Sequence, residues 1–121
     1  MTVSNKPQGN NQPNLKEIIW GDFTWVDILQ PTKEIAKYLA DRYNFNSLDL
    51  EDALSPLQVS KIEEYPEYLF VIFQLSVFNK STRVSSRKQW SAFAGPNYLV
   101  TLRPSEFKFA DEVLRECELK E

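Results

Sequence analysis

The sequence contains no histidine and only one cysteine, Cys117, among its 121 residues. Without an imidazole, the chain cannot use histidine general acid–base catalysis, Ser-His-Asp or Cys-His nucleophile systems, or histidine metal ligation. A single cysteine can form neither an internal disulfide nor a thiolate zinc site. Any metal bound by this chain must therefore be held by oxygen ligands, which favours hard cations such as Mg²⁺ and Ca²⁺.

Glycines and long apolar runs are also scarce. The three glycines, Gly9, Gly21 and Gly95, are isolated and form no glycine-rich loop that could cradle a phosphate. The longest near-apolar run, from Tyr68 to Phe78, is far shorter than the roughly 20 residues that a helix needs to cross a bilayer. No secretory pattern opens the chain. We therefore predict that the chain is not an enzyme and, as given, is soluble.

What the sequence does contain is enough apolar material for one domain. Hydrophobic residues make up 42% and aromatic residues 13%, which excludes wholesale disorder. The 14 basic and 17 acidic side chains leave a net charge of −3, which argues against a generic nucleic-acid binder. Residues 1–14 are polar, with two prolines and no aromatic residue, and predict a flexible tail before an ordered domain over 15–121.

Hydrophobic periodicity predicts a domain in which strands and helices are mixed. Alternating and β-branched apolar residues predict strands over 23–29, 68–78, 84–94 and 97–103, and helical spacing predicts helices over 32–43, 47–54 and from 104 onward. The last three strands form an antiparallel meander. The fold class is therefore α/β in the loose sense, with a mixed, mostly antiparallel sheet flanked by helices.

The helices carry further signals. Thr32 and Ser47 stand where N-capping residues are expected. In the second helix we predict that Leu48, Leu50 and Leu54 point inward. The last helical pattern is still running at the final residue, which we interpret as a sign that the natural protein continues beyond it.

An acidic stretch is the first candidate site. Between residues 49 and 67 there are six carboxylates and one offsetting base, Lys61. Asp49 and Asp52 are three residues apart on a predicted helix and share a face. Two such carboxylates can hold a hydrated divalent cation, since Mg²⁺ usually keeps several waters. The alternative interpretation is a solvated helix surface.

A basic stretch is the second candidate site. Between residues 79 and 103 there are five bases and no acid, interleaved with aromatic residues that could stack nucleic-acid bases. The bases are Lys80, Arg83, Arg87, Lys88 and Arg103, and the aromatic residues are Trp90, Phe93 and Tyr98. No RNA-binding signature accompanies them. Two alternatives stay open: ordinary exposed hairpin charge, and a hairpin that meets an acidic surface on a neighbouring subunit.

Five segments, taken in order, resemble a known family. They are Trp25-Val26-Asp27-Ile28 with Gln30-Pro31-Thr32, Leu48-Asp49-Leu50-Glu51-Asp52-Ala53-Leu54, Lys61-Ile62-Glu63-Glu64-Tyr65, Tyr68-Leu69-Phe70-Val71-Ile72-Phe73 and Asn97-Tyr98-Leu99-Val100-Thr101. Together they look like the N-terminal cytoplasmic domain of CorA-type magnesium (divalent cation) transporters. The resemblance covers about residues 23–117, so 15–121 is identified as an incomplete CorA-like N-terminal domain.

The resemblance implies an α-β-α sandwich that ends before the stalk and transmembrane helices of a homopentamer. The pore motif Gly-Met-Asn is absent, because Met1 is the only methionine. This fragment is therefore not expected to transport ions alone. The full-length protein is expected in the plasma membrane, with this domain on the cytoplasmic side. The expected partners are neighbouring subunits and divalent cations, with no nucleic acid, and with the membrane reached only through the missing C-terminal helices.

The resemblance also implies a regulatory Mg²⁺ site. In the family, the acidic pair that ends the Leu-x-Leu-Glu-Asp motif faces a carboxylate of the neighbouring subunit. By position this role falls on Asp52, with Glu51 beside it and Asp49 on the same helix face. Where many relatives have His-Pro and Arg-Pro, this chain has Asn46-Ser47 and Val59-Ser60. These departures leave the identity of the ion open among magnesium, cobalt, nickel and zinc.

A function of another class is the alternative. A stand-alone module could use the basic, aromatic-bearing hairpin to bind nucleic acid or an acidic protein. Arg83, Arg87 and Lys88 would then carry salt-sensitive binding.

Overall fold

A computed structural model describes residues 2–5, 15–55, 59–104 and 108–119. In these ranges seven strands form one sheet with three helices packed against it. The strands are β1 (Thr2–Asn5), β2 (Leu15–Trp20), β3 (Phe23–Leu29), β4 (Lys61–Glu64), β5 (Leu69–Asn79), β6 (Val84–Ala94) and β7 (Tyr98–Arg103). The helices are α1 (Lys33–Tyr43), α2 (Ser47–Leu54) and α3 (Lys108–Leu119).

The sheet is mixed and mostly antiparallel, as predicted. Its strand order is β1-β2-β3-β7-β6-β5-β4, and every neighbouring pair is antiparallel except β3 with β7. A parallel pair requires a long crossover connection, and here α1, α2 and strands β4–β6 supply it between β3 and β7. The predicted fold class is confirmed.

Apolar residues cover both faces of the sheet. On one face the buried core includes Leu39 of α1, Leu50 of α2 and the stacked rings of Phe45 and Phe93, whose centroids are 4.0 Å apart. On the other face Leu114 of α3 packs in a second buried cluster of residues from β2 and β3. Residues alternate between the faces because successive side chains of a strand point to opposite sides. Helices therefore pack on both sides of the sheet.

A buried ion pair joins the two parallel strands. Arg103 of β7 donates from Nη2 to Asp27 Oδ2 of β3 at 3.0 Å, and the two side chains are 5% and 3% exposed. Thr101 Oγ1 donates to the other Asp27 oxygen at 2.7 Å, and Trp25 Nε1 donates to Thr101 Oγ1 at 2.9 Å. Burial raises the pKa of Asp27, while the Arg103 charge opposes that rise. Arg103 also contacts Asp111 of α3 at 2.8 Å, so the network links β3, β7 and α3.

Arg103 therefore differs from its sequence interpretation. The basic stretch suggested exposed hairpin charge, whereas the guanidinium is buried against a carboxylate 76 residues away in the chain. The parallel register, which pairs Asp27 with Thr101 and Leu29 with Arg103, brings the two charges together. The sequence around Arg103 could not reveal this partner, since the contact depends on pairing between strands that are distant in the chain.

Of the two predicted N-capping residues, one is confirmed and the other is not. Thr32 caps α1, because its hydroxyl accepts a hydrogen bond from the Ile35 N–H at 3.2 Å. The α2 cap is Asn46 and not Ser47, since the Asn46 side chain accepts from the Leu48 N–H at 2.8 Å. Leu48 is 66% exposed, whereas Asp49 is only 2% exposed. The prediction that Leu48 points inward is therefore wrong, because the helix turns Asp49, Leu50 and Ala53 toward the sheet.

Two edge strands were not predicted. Strand β4 lies within the acidic stretch, where its charged residues obscure a strand pattern, and it pairs with the start of β5. Strand β1 lies within the predicted flexible tail, yet Thr2–Asn5 pairs with β2 through backbone hydrogen bonds, which require no apolar side chains. Residues 1 and 6–14 of that tail lie outside the described residues.

Among the described helices, none combines the length and apolar character needed to cross a bilayer.

We expect Arg103→Met to lower the free energy of unfolding by about 3–5 kcal/mol, because it leaves the Asp27 carboxylate buried without its cation. Urea unfolding of the chain measures this loss. The control is Arg115→Met on the exposed side of α3, which should change stability by less than about 0.5 kcal/mol. Equal stability of the two variants would contradict a structural role for the buried pair.

Candidate metal centre

Three carboxylates converge between α2 and β4. Asp49 and Asp52 come from α2 and Glu63 comes from β4, and one oxygen of each lies within 4.8 Å of the others. The two aspartates share a helix face because three residues make nearly one helical turn. Glu63 joins them because residues alternate along β4, which directs Lys61 and Glu63 to the side of the sheet opposite Ile62.

Two tyrosines position the buried carboxylate, Asp49. The Tyr68 hydroxyl accepts a hydrogen bond from the Asn46 N–H at 2.9 Å and donates one to Asp49 Oδ2 at 3.2 Å. The Tyr65 hydroxyl donates to Glu63 Oε2 at 3.3 Å. Burial raises the pKa of Asp49, while hydrogen bonds from Tyr65 and Tyr68 oppose the rise. Burial and the neighbouring Asp49 carboxylate also raise the pKa of Tyr65, so its hydroxyl remains a donor.

A lysine lies between the other two carboxylates. Lys61 Nζ is 2.5 Å from Asp52 Oδ2 and 2.9 Å from Glu63 Oε1. Its hydrogen bonds to Asp52 and Glu63 raise the pKa of Lys61, and the same contact lowers the pKa of Glu63. Counted as one negative charge for each carboxylate and one positive charge for the ammonium, the group has a formal charge of −2. A divalent cation has the matching charge.

The far end of α2 is fixed by the sheet. Gln89 of β6 donates from its side-chain amide to the Asp52 carbonyl at 3.4 Å. Its side-chain oxygen accepts a hydrogen bond from Gln74 of β5 at 2.8 Å. The helix that carries the two aspartates is therefore held at its start by Tyr68 and near its end by Gln89.

Glu51 is not part of the three-carboxylate group. It is exposed and lines a shallow groove of about 330 Å³ between α1 and α2, together with Lys33 and Lys37. The structure therefore brings together Asp49 and Asp52 of the predicted site residues and leaves Glu51 aside. It adds Glu63, which sequence analysis did not select. The signal for Glu63 is the alternation of Lys61 and Glu63 around an apolar Ile62, which is a strand pattern.

The basic, aromatic hairpin is not a base-stacking platform. Phe93 is completely buried in the core beneath α1 and α2. Tyr98 packs against the same core, and Trp90 packs against the cluster beneath α3. Because their rings contribute to packing, these three residues do not form the exposed stacking surface that single-stranded nucleic acid requires. The interpretation of these aromatic residues as a nucleic-acid site is therefore wrong.

We expect Lys61→Gln to raise the pKa of Glu63 toward the ordinary glutamate value of about 4.3, because the ammonium that stabilises its charged form is gone. NMR titration of the Glu63 side-chain carboxyl measures this change. In the native chain the lowered pKa of Glu63 contributes stability above the unfolded-state pKa, and that stability is lost as pH falls through the folded-state pKa. The variant should lack this contribution.

The control for this titration is Lys37→Gln, an exposed lysine on α1 that is not among the residues whose contacts shift Glu63. It should leave the titration of Glu63 unchanged. A Glu63 titration that is the same in Lys61→Gln and in the native chain would contradict the assigned contact.

The sequence matches one known protein family, and the fold matches several solved structures. The family described as CorA-like Mg²⁺ transporter protein matches residues 20–121. The soluble domain of CorA from Methanocaldococcus jannaschii has a similar fold, with a TM-score of 0.68 and 17% identity over 83% of this chain and 39% of that one. The complete CorA magnesium transporter of the same organism matches with a TM-score of 0.67 and 17% identity, over 85% of this chain and 32% of that one.

A third solved structure has a similar fold. The cytoplasmic domain of ZntB from Vibrio parahaemolyticus RIMD 2210633 matches with a TM-score of 0.61 and 12% identity, over 79% of this chain and 39% of that one. Direct comparison with curated protein sequences finds no match. The chain thus spans less than half the length of these structures, and at such identities the likeness establishes the fold alone. The family match, however, extends from the end of β2 to the last residue, and the chain belongs to the CorA-like Mg²⁺ transporter family.

Proposed function

We propose that this chain is the cytoplasmic regulatory, ion-sensing domain of a CorA-like magnesium transporter. In this proposal the full-length protein is a homopentamer in the plasma membrane and carries the ion. The chain described here performs no catalysis and transports nothing alone. Family membership supports the general role. The observation that carries the sensing role is the convergence of Asp49, Asp52 and Glu63 around a net negative site.

The donor set suits a hard divalent cation. All three ligands are carboxylates, and Mg²⁺ typically takes one or two protein carboxylates while keeping several waters. Asp52 is 27% exposed and Glu63 is 40% exposed, so a hydrated ion can reach both. Asp49 lies behind them and adds negative charge. A bound cation would supply charge neutralisation for carboxylates that otherwise repel one another.

Lys61 sets the strength of this site. Its ammonium already satisfies Asp52 and Glu63, so a divalent cation must compete with an internal positive charge. This competition favours weak binding, on the order of 10⁻³ M for a few exposed carboxylates. Weak binding suits a sensor, because occupancy then changes over the range of ion concentration to be measured.

Asp52 and Glu51 are the residues that we propose face a neighbouring subunit. Glu51 is exposed and precedes Asp52 in the sequence, and Asp52 is partly exposed within the three-carboxylate group. A carboxylate from the neighbour would complete the ligand set. Loss of the ion would leave like charges facing each other across the interface, so the subunits would rearrange. Ion concentration would then be coupled to the geometry of the assembly.

We expect Mg²⁺ to shift NMR signals around Asp49, Asp52 and Glu63, with an apparent dissociation constant on the order of 10⁻³ M. Asp52→Ala should weaken this response at least about tenfold, because it removes the most accessible α2 ligand. The control is Asp41→Ala, an exposed aspartate on α1 outside the cluster, which should keep the native response. A response centred elsewhere would contradict the site assignment.

The sensing role is tested in the full-length protein. We expect Asp52→Ala to weaken the dependence of transport on cytoplasmic Mg²⁺, because the ion can no longer hold the interface. Flux measured over a range of internal Mg²⁺ concentrations reports this. If the variant responds to internal Mg²⁺ as the native protein does, the sensing hypothesis fails.

A further inference from the structure

Strands β5 and β6 extend beyond the rest of the sheet as an arm, defined here as residues 73–90. Strand β4 pairs with β5 only over residues 69–72, and β7 pairs with β6 only over residues 91–94. Beyond those points the two strands pair with each other, and in the described part of the chain a hydrogen bond from the Gln74 N–H to Ser60 Oγ adds to the outer edge. A two-stranded ribbon by itself is marginally stable in water, so a partner surface would stabilise the arm.

The arm carries only positive charge. It holds four of the 14 basic residues and none of the 17 acidic ones, so the rest of the chain has ten bases against 17 acids. Within the described residues, no carboxylate forms an ion pair with Lys80, Arg83 or Arg87. The arm and the remainder of the same chain are therefore electrostatically complementary. Two arms, by contrast, would repel each other if they paired edge to edge.

One face of the arm combines an exposed ring with a guanidinium. Phe78 is a large apolar side chain and is 58% exposed. Arg87 pairs with Ser76 in the register, and Ser76 and Phe78 lie two residues apart on β5. Arg87 and Phe78 therefore share a face of the arm. Buried aromatic and arginine side chains are the commonest anchors of protein interfaces.

A matching depression lies at the opposite end of β5. It has a volume of about 590 Å³ and an apolar lining that includes Ile62, Tyr65 and Leu69. Two carboxylates, Glu64 and Glu67, also line it, and both residues are exposed. The depression is wide open to solvent, so a side chain of another molecule can reach it. The depression thus offers an apolar floor and negative charge, which are complementary to Phe78 and Arg87.

The arm cannot reach the depression of its own chain. Leu69 lines the depression at the start of β5, and Phe78 lies nine residues further along the same strand. At about 3.3 Å per residue the two are separated by roughly 30 Å. The complementary surfaces can therefore meet only between two molecules.

We propose that the arm of one copy docks into the depression of a neighbouring copy, with the Phe78 ring on the apolar floor and Arg87 paired with Glu64 and Glu67. This contact joins two different surfaces, so it is heterologous, and in the proposed homopentamer it would repeat from each subunit to the next. The inference rests on the proposed assembly of several copies, and it assigns to that assembly a contact separate from the three-carboxylate group.

Charge reversal on each surface tests the contact. Sedimentation velocity of the chain at low salt should show weak self-association that high salt suppresses, because the charges are exposed. Arg87→Glu and Glu64→Lys should each raise the apparent dissociation constant at least roughly tenfold. An equimolar mixture of the two variants should associate again, since the reversed charges then match. Arg115→Glu, an equal charge change on α3, should associate like the native chain.

A second pair of variants separates the apolar contact from simple charge attraction. Phe78→Ser should weaken association, whereas Leu48→Ser, which removes an apolar side chain of similar exposure from α2, should not. A native chain that remains monomeric at all concentrations at low salt would overturn the proposal, as would a mixture of the charge variants that fails to associate. Arm-dependent binding of a single-stranded oligonucleotide in preference to a second copy would overturn it in favour of a polyanion partner.

The outcome is independent of the sensing test. Arg87 and Phe78 lie on the arm and outside the three-carboxylate group, so their variants should keep the native NMR response to Mg²⁺. Failure of the docking test with an intact Mg²⁺ response would remove the arm contact and leave the proposed sensor site in place.

Discussion

The buried pair of Asp27 and Arg103 constrains the register of the whole sheet. β3 and β7 are the central parallel neighbours, and they join β1 and β2 on one side to the β6, β5 and β4 meander on the other. A shift of one residue between them would turn one charge to the opposite face and leave both without compensation. Since Arg103 also contacts Asp111, the same pair orients α3 on its face of the sheet.

The candidate site also depends on the sheet, although less directly. Its three carboxylates come from a short helix and an edge strand, which are elements with little stability of their own. Tyr68 and Gln89 of the sheet region attach α2 at its two ends, so the carboxylates inherit the geometry of the sheet. Within the site, one lysine balances two carboxylates. Three carboxylates therefore stand against one ammonium, and the group keeps a formal negative charge.

Sequence analysis identified the elements whose hydrophobic pattern is strong. The bounds of β3, α2 and β6 agree with the predicted ranges, because alternation and helical spacing are local properties. Its predictions were wrong where a residue distant in the chain determines which side chain is buried. Burial of Asp49 instead of Leu48 depends on the Tyr68 hydroxyl, which is 19 residues away from Asp49 in the chain.

The acidic and basic stretches show the same limit. The family resemblance implied a role for Glu51 beside Asp52, whereas in the structure Glu51 lines the groove between α1 and α2, and Glu63 of the neighbouring strand lies with Asp52 instead. Likewise, the sequence predicted Arg103 to be an exposed hairpin charge, whereas the parallel pairing of β3 with β7 places it against Asp27. Composition predicts which charges are present, but pairing between strands decides which of them are exposed.

The parallel pairing of β3 with β7 has a consequence for the order of folding. The pair closes a loop of 76 residues, and closing a flexible loop of that length costs about 4 kcal/mol in chain entropy. The meander from β4 to β7, in contrast, consists of neighbours in sequence and closes only short turns. Helix α2 and strand β4 both lie inside the long loop, so their carboxylates occupy a segment whose two ends are joined by a single non-local contact between strands. Strands β1 to β3 can therefore complete the sheet only after β7 has been synthesised.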